Sequence, residues 1–171
     1  MKVVLLGYMA SGKSTIGRLL AAKLGYDFID LDEEISNQVG MDIPKIFSEK
    51  GEIFFRRRET EVLMDILKRD TQIVLALGGG TPCYGQNMQL IKEHTPNSFY
   101  LNLSIPSLVM RISGEKEQRP LVARIPDEEL PEFIGKHLFE RSPFYSLADH
   151  TIFAQDKTEE QLIAEIMPYL V

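Results

Sequence analysis

The chain has 171 residues, 44% apolar and 26% charged, enough for a sizeable core in one soluble domain over residues 1–171. A formal net charge of −6 argues against a nucleic-acid or anionic-membrane partner. The lone Cys83 excludes an intramolecular disulfide, no apolar run is long enough to span a bilayer, and His94, His137 and His150 are too scattered for a metal site; a cytoplasmic protein with surface or boundary histidines is expected.

The first element is the apolar run Val3–Leu6, which reads as a buried strand. It runs into Gly7-Tyr8-Met9-Ala10-Ser11-Gly12-Lys13-Ser14-Thr15, a match to the phosphate-loop pattern G-x-x-x-x-G-K-[ST]. Ile16, Leu19, Leu20 and Leu24 then repeat at helical spacing until Gly25. Strand, loop and helix in this order make an anion cradle. The glycines let successive N–H groups turn inward, and the helix N-terminus adds partial positive charge. Lys13 is expected to reach the terminal phosphates of a nucleotide, and the Ser14 hydroxyl to ligate Mg²⁺.

The second strand, Asp27–Asp30, leads into Asp30-Leu31-Asp32. On an extended segment a period of two points both carboxylates the same way, at the strand end where α/β sheets bind ligands. One suits the water shell of Mg²⁺ and the other an acceptor hydroxyl, although Asp32 also suits a cap for the following helix. Gly40 ends that helix. Asp42 and Pro44 open another to about Lys50, and Gly51 separates it from a third, Glu52 to Arg69. There Arg56 has Glu52 four residues before it and Glu59 three after it, on its own face. Acidic neighbours so placed orient a guanidinium for bidentate capture of a carboxylate; a solvated charged helix is the competing reading.

Ile73–Leu77 is apolar throughout and reads as a strand in the sheet centre, running into Gly78-Gly79-Gly80-Thr81-Pro82. A glycine triplet there lets a ligand approach backbone N–H groups unobstructed. Cys83 follows and is given no chemistry. Ser98–Leu103 is the fourth strand; Ser104 and Pro106 open a helix through Ile112. Ser113–Leu121 is polar and punctuated and reads as a mobile lid, residues 113–125, whose Arg119 is placed to close on a transferring phosphoryl group. A helix from about Asp127 carries Arg141, a second anion anchor, and Pro143 is expected to end it. Thr151–Phe153 is the last strand, and Thr158-Glu159-Glu160-Gln161 is a capping box for the terminal helix. This βαβα alternation predicts an α/β fold with a mostly parallel sheet and helices on both faces.

In order, GYMASGKST, FIDLDEEI, FRRRE, LGGGTP, QRPL and ERSPFY resemble the shikimate kinase family along essentially the whole chain. The resemblance implies a three-layer P-loop kinase fold, nucleoside-monophosphate-kinase-like, with five parallel strands in the order 2-3-1-4-5. It implies substrate-binding helices at about 32–70, the lid already noted, and ATP-dependent phosphorylation of the shikimate 3-hydroxyl in aromatic amino-acid biosynthesis. By position, Ala10, Ser11, Gly12, Lys13, Ser14 and Thr15 would hold ATP, with Arg111 and Lys157 near the adenine and Arg119 on the phosphates. Asp30 would support Mg²⁺ through water. Asp32 would bind the acceptor hydroxyls and serve as the candidate base, so that Lys13, Asp32 and Arg119 form the catalytic set. Arg56 and Arg141 would clasp the substrate carboxylate, and Gly79 and Gly80 would donate backbone N–H groups to the substrate. Nothing demands a partner subunit, and a monomer is expected. Ala10 stands where the family often has glycine, at little cost unless φ is positive there. The alternatives are another small-metabolite kinase, such as a gluconate kinase, and a nucleotide switch, whose usual Asn-Lys-x-Asp segment is absent.

Overall fold

The computed structural model describes all 171 residues. The chain runs β1 (Lys2–Leu6), α1 (Lys13–Leu24), β2 (Asp27–Asp30), α2 (Leu31–Val39), α3 (Ile43–Lys50), α4 (Glu52–Lys68) and β3 (Ile73–Ala76). It continues through α5 (Asn87–His94), β4 (Ser98–Asn102), α6 (Ile105–Glu115), α7 (Leu130–Tyr145), β5 (His150–Phe153) and α8 (Glu159–Ile166). The strands form one sheet in the order β2-β3-β1-β4-β5, with every pairing parallel. Val4 aligns with Leu75 on one side and Ser98 on the other, so β1 runs down the middle of the sheet. Helices surround it in the three-layer arrangement expected.

The local sequence explains these elements. All four residues of β3 are buried, as are Val3 to Leu6, which is what a strand covered on both faces requires. Together with the inner faces of the helices they form a contiguous apolar core of 37 buried residues. Helix starts carry the caps read from the sequence: Asp42 accepts from the Lys45 N–H, Ser104 from Ser107, and Thr158 completes its box with Gln161.

Three expectations need correction. Asp30, not Asp32, caps α2, accepting from the N–H groups of Asp32 and Glu33. The strand therefore ends at Asp30, and Asp32 lies in the first helical turn rather than on an extended segment. Second, α6 runs on to Glu115, so the first three residues of the expected lid are its last turn, followed by a 3₁₀ turn over Lys116–Gln118. Third, α7 passes through Pro143 to Tyr145. A proline there deprives the Phe139 carbonyl of its helical partner, but Phe139 is among the most exposed apolar residues of the chain and Pro143 is exposed too, so the loss falls on a solvent-facing stretch of the helix.

Candidate active site

The phosphate loop joins the middle strand to α1 with Gly12 at φ 94°, a left-handed conformation a side chain would resist. Ala10 adopts φ 62°, so the one departure from the glycine pattern falls on a position that favours glycine. The condition set for a small cost, a φ that is not positive, is therefore not met. Lys13 Nζ donates to the carbonyls of Gly7 at 2.7 Å and Tyr8 at 2.8 Å, which hold the ammonium under the loop. Burial, opposed by the nearby Asp32 and Asp30, brings its pKa down to about 8. The Ser14 hydroxyl donates to Asp30 Oδ2 at 2.7 Å. Asp30 thus does two jobs, capping α2 with one oxygen and meeting the loop hydroxyl with the other.

Asp32 faces the same cleft. Burial first, then the like charges of Asp30 and Glu59, push its carboxyl up to about 6 against the pull of Lys13 and Arg56. Its oxygens rest against Gly78: a Cβ there would lie 2.9 Å from Asp32 Oδ1. One at Gly79 would lie 3.1 Å from Arg141 Nη1, and one at Gly80 would lie 2.7 Å from Arg56 Nη2. Each glycine of the triplet makes room for one charged side chain. The turn after β3 therefore gathers Asp32 from α2, Arg56 from α4 and Arg141 from α7 at one strand end, beside the phosphate loop. None of the three glycines has positive φ, so it is close approach, not backbone freedom, that demands them.

The arginines are held differently. Arg56 Nη1 donates to Glu59 Oε1 at 2.9 Å, while Glu59, fully buried, takes a second hydrogen bond from Thr81 Oγ1 at 2.8 Å. The guanidinium lies 3.8 Å from the Tyr84 ring centre. Arg141 sits over the Tyr8 ring at 5.9 Å, and Tyr145, one helical turn on, donates to the Gly79 carbonyl at 2.6 Å.

A cleft of about 740 Å³ opens over the phosphate loop, lined by Lys13, Asp30, Asp32, Gly78 and Gly79, with Arg111, Arg119 and Lys157 on its far rim. Arg111 Nη1 donates to the Ala10 carbonyl at 3.2 Å. Arg119 is paired with Glu115, Nη2 to Oε2 at 2.6 Å, and Lys157 with Glu165 at 2.6 Å. Gly80, Arg56 and Arg141 are outside that lining, with the two guanidinium groups packed against Gly80 and Gly79.

The family model for shikimate kinase matches residues 9–170. The chain belongs to the shikimate kinase family. A shikimate kinase of Flavobacterium psychrophilum is 42% identical over 165 residues, 96% of either chain. The crystal structure of shikimate kinase from Bacteroides thetaiotaomicron superposes with a TM-score of 0.91 at 31% identity, covering 98% of this chain and 97% of that one. Shikimate kinase from Acinetobacter baumannii, solved in complex with shikimate, gives 0.86 at 34% identity, covering 97% and 90%.

Against that family background, the residues that sequence reasoning missed are the aromatic and hydroxyl supports. The Tyr8 hydroxyl lies 3.0 Å from His137 Nδ1, tying the phosphate loop to α7, so His137 is more than a boundary residue. Thr81 locks Glu59, and Tyr84 stacks on Arg56. No spacing rule reaches these contacts, because their partners are 22 to 129 residues away in sequence or set by ring orientation. Arg58, by contrast, points away from the site and pairs with Glu61 and Gln38 on the surface.

Proposed function

We propose that this protein transfers the γ-phosphoryl group of ATP to the 3-hydroxyl of shikimate, giving shikimate 3-phosphate and ADP. The observation that carries the reading is the glycine turn, which backs a buried carboxylate and two guanidinium groups beside the phosphate-loop lysine. An acceptor that is a small anionic polyol needs this combination: guanidinium groups for its carboxylate and a carboxylate for its hydroxyls. The shikimate in the Acinetobacter relative supports the same assignment.

In this reading the phosphate loop, Ala10 to Thr15, holds the triphosphate, and Arg111 and Lys157 flank the nucleoside. Arg56 and Arg141 hold the acceptor carboxylate, and N–H groups of Gly79 and Gly80 face the acceptor. Asp32, with its pKa near 6, is ionised at neutral pH and takes the proton of the attacking hydroxyl. Phosphoryl transfer passes through a loose transition state, so orientation by Asp32 outweighs its basicity. Lys13 and Arg119 stabilise charge on the transferring group, Arg119 by exchanging Glu115 at the end of α6 for phosphate as residues 116–125 close. The oxygen pair of Ser14 and Asp30 suits Mg²⁺, a hard ion that keeps waters and phosphate oxygens as its other ligands. Bound with the nucleotide, Mg²⁺ would neutralise phosphate charge. No helix is long and apolar enough to cross a membrane, and a monomeric cytoplasmic enzyme completes the proposal.

The test is release of nucleoside diphosphate, ADP from ATP or GDP from GTP, measured against shikimate, gluconate and no acceptor. Shikimate-dependent release from ATP is expected. Gluconate-dependent turnover would favour the other small-metabolite kinase, and GTP hydrolysis without any acceptor dependence would favour a switch.

A further inference from the structure

Arg56 presents two edges, and they are treated unequally. Nη1 is taken by Glu59 at 2.9 Å. Nε is buried with no hydrogen-bond partner. An orphaned guanidinium N–H is unusual, and here the nearest acid explains it. Glu52 stands one turn before Arg56 on α4, a spacing at which Glu and Arg ordinarily pair. Yet Glu52 Oε1 stops 4.0 Å from Arg56 Nε, while the same oxygen accepts the Tyr84 hydroxyl at 2.8 Å. The Tyr84 ring meanwhile covers the guanidinium face at 3.8 Å.

We infer that Tyr84 is a positioning residue for Arg56: its hydroxyl holds Glu52 away from the guanidinium, reserving the Nε–Nη2 edge for the carboxylate of the acceptor. The inference rests on the reading of Arg56 given under Proposed function. Several contacts make the arrangement stiff. Thr81 bonds Glu59 at 2.8 Å, Asn87 Nδ2 bonds the Thr81 carbonyl at 2.9 Å, and Thr60 bonds Asn87 Oδ1 at 2.9 Å. These fasten the segment leading to Tyr84 onto α4. The hydrogen bond to Glu52, aided by partial burial, raises the Tyr84 phenol above its ordinary pKa and keeps it a donor at neutral pH. Glu52 is 58% exposed and free to turn once released. In that case it competes with the acceptor for the same edge.

Steady-state kinetics at fixed pH on Tyr84→Phe, Glu52→Gln, the double variant and Arg56→Ala test this. Tyr84→Phe keeps the stacked ring and should raise the KM for shikimate about 3- to 10-fold, with kcat and the KM for ATP nearly unchanged. Adding Glu52→Gln should restore the shikimate KM, because the competing charge is gone. A merely structural role for the hydroxyl would not be rescued by removing an acid. An unchanged KM in Tyr84→Phe, or a raised KM that Glu52→Gln does not restore, overturns the inference while leaving Arg56 its role. If Arg56→Ala leaves the shikimate KM unchanged, the carboxylate-anchor reading fails, and with it the inference.

Discussion

Asp32 carries a cost that its position explains. Buried beside Asp30 and Glu59, it ionises near pH 6 rather than in the usual carboxylate range. Its proton is held more tightly in the folded than in the unfolded chain. Its ionisation therefore costs stability above about pH 6, and that cost fades as pH falls toward 4. Asp32→Asn should accordingly lower turnover by roughly 10²-fold or more while ATP still binds. The same variant should unfold with about 2 kcal/mol more free energy at pH 7, a gain that shrinks toward pH 4 in denaturant titrations. In the parent protein, kcat/KM for shikimate should fall as pH drops through about 6, where Asp32 gains its proton. Near-normal turnover in Asp32→Asn would remove Asp32 from the reaction. Ala10 offers a simpler case: its left-handed φ of 62° predicts that Ala10→Gly stabilises the fold by about 1 kcal/mol in the same titrations.

The turn after β3 shows what one element does for the site. Gly80 is the position where an added methyl group meets the Arg56 guanidinium most closely, at 2.7 Å. Gly80→Ala should therefore raise the KM for shikimate about 10-fold or more and leave the KM for ATP within about two-fold, since the phosphate loop is untouched. The existence of this turn, and its place at the end of an inner strand, was legible in three adjacent glycines after a fully apolar run. Its purpose was only half legible. Sequence suggested backbone exposed to a ligand, whereas packing shows three side chains that need the space. The pair Asp30 and Asp32 repeats the lesson. Their nearness to the phosphate loop was readable, but which aspartate caps α2 depends on where the strand stops, and the contact of Asp30 with Ser14 is a tertiary one that spacing does not reveal. Pro143 misled for a similar reason: a solvent-facing last turn tolerates a missing hydrogen bond that a buried one would not.

For the whole molecule, apolar runs and helical spacing sufficed to find five strands and the helices between them, with ends correct to about a residue at most strands. Strand order did not follow from periodicity, since every parallel order obeys the same pattern; it came from family likeness, and the observed β2-β3-β1-β4-β5 agrees. That order places β1 and β3 side by side, so the phosphate loop and the glycine turn emerge at adjacent strand ends. The account depends on this adjacency turning two half-sites into one. The most direct measurement is a crystal structure of the protein with ADP, Mg²⁺ and shikimate. The account predicts the shikimate carboxylate between Arg56 and Arg141, its 3-hydroxyl about 3 Å from Asp32 and directed toward the phosphate-loop Lys13. Shikimate bound away from the Gly78–Gly80 turn, or with its 3-hydroxyl facing away from the nucleotide phosphates, would contradict it.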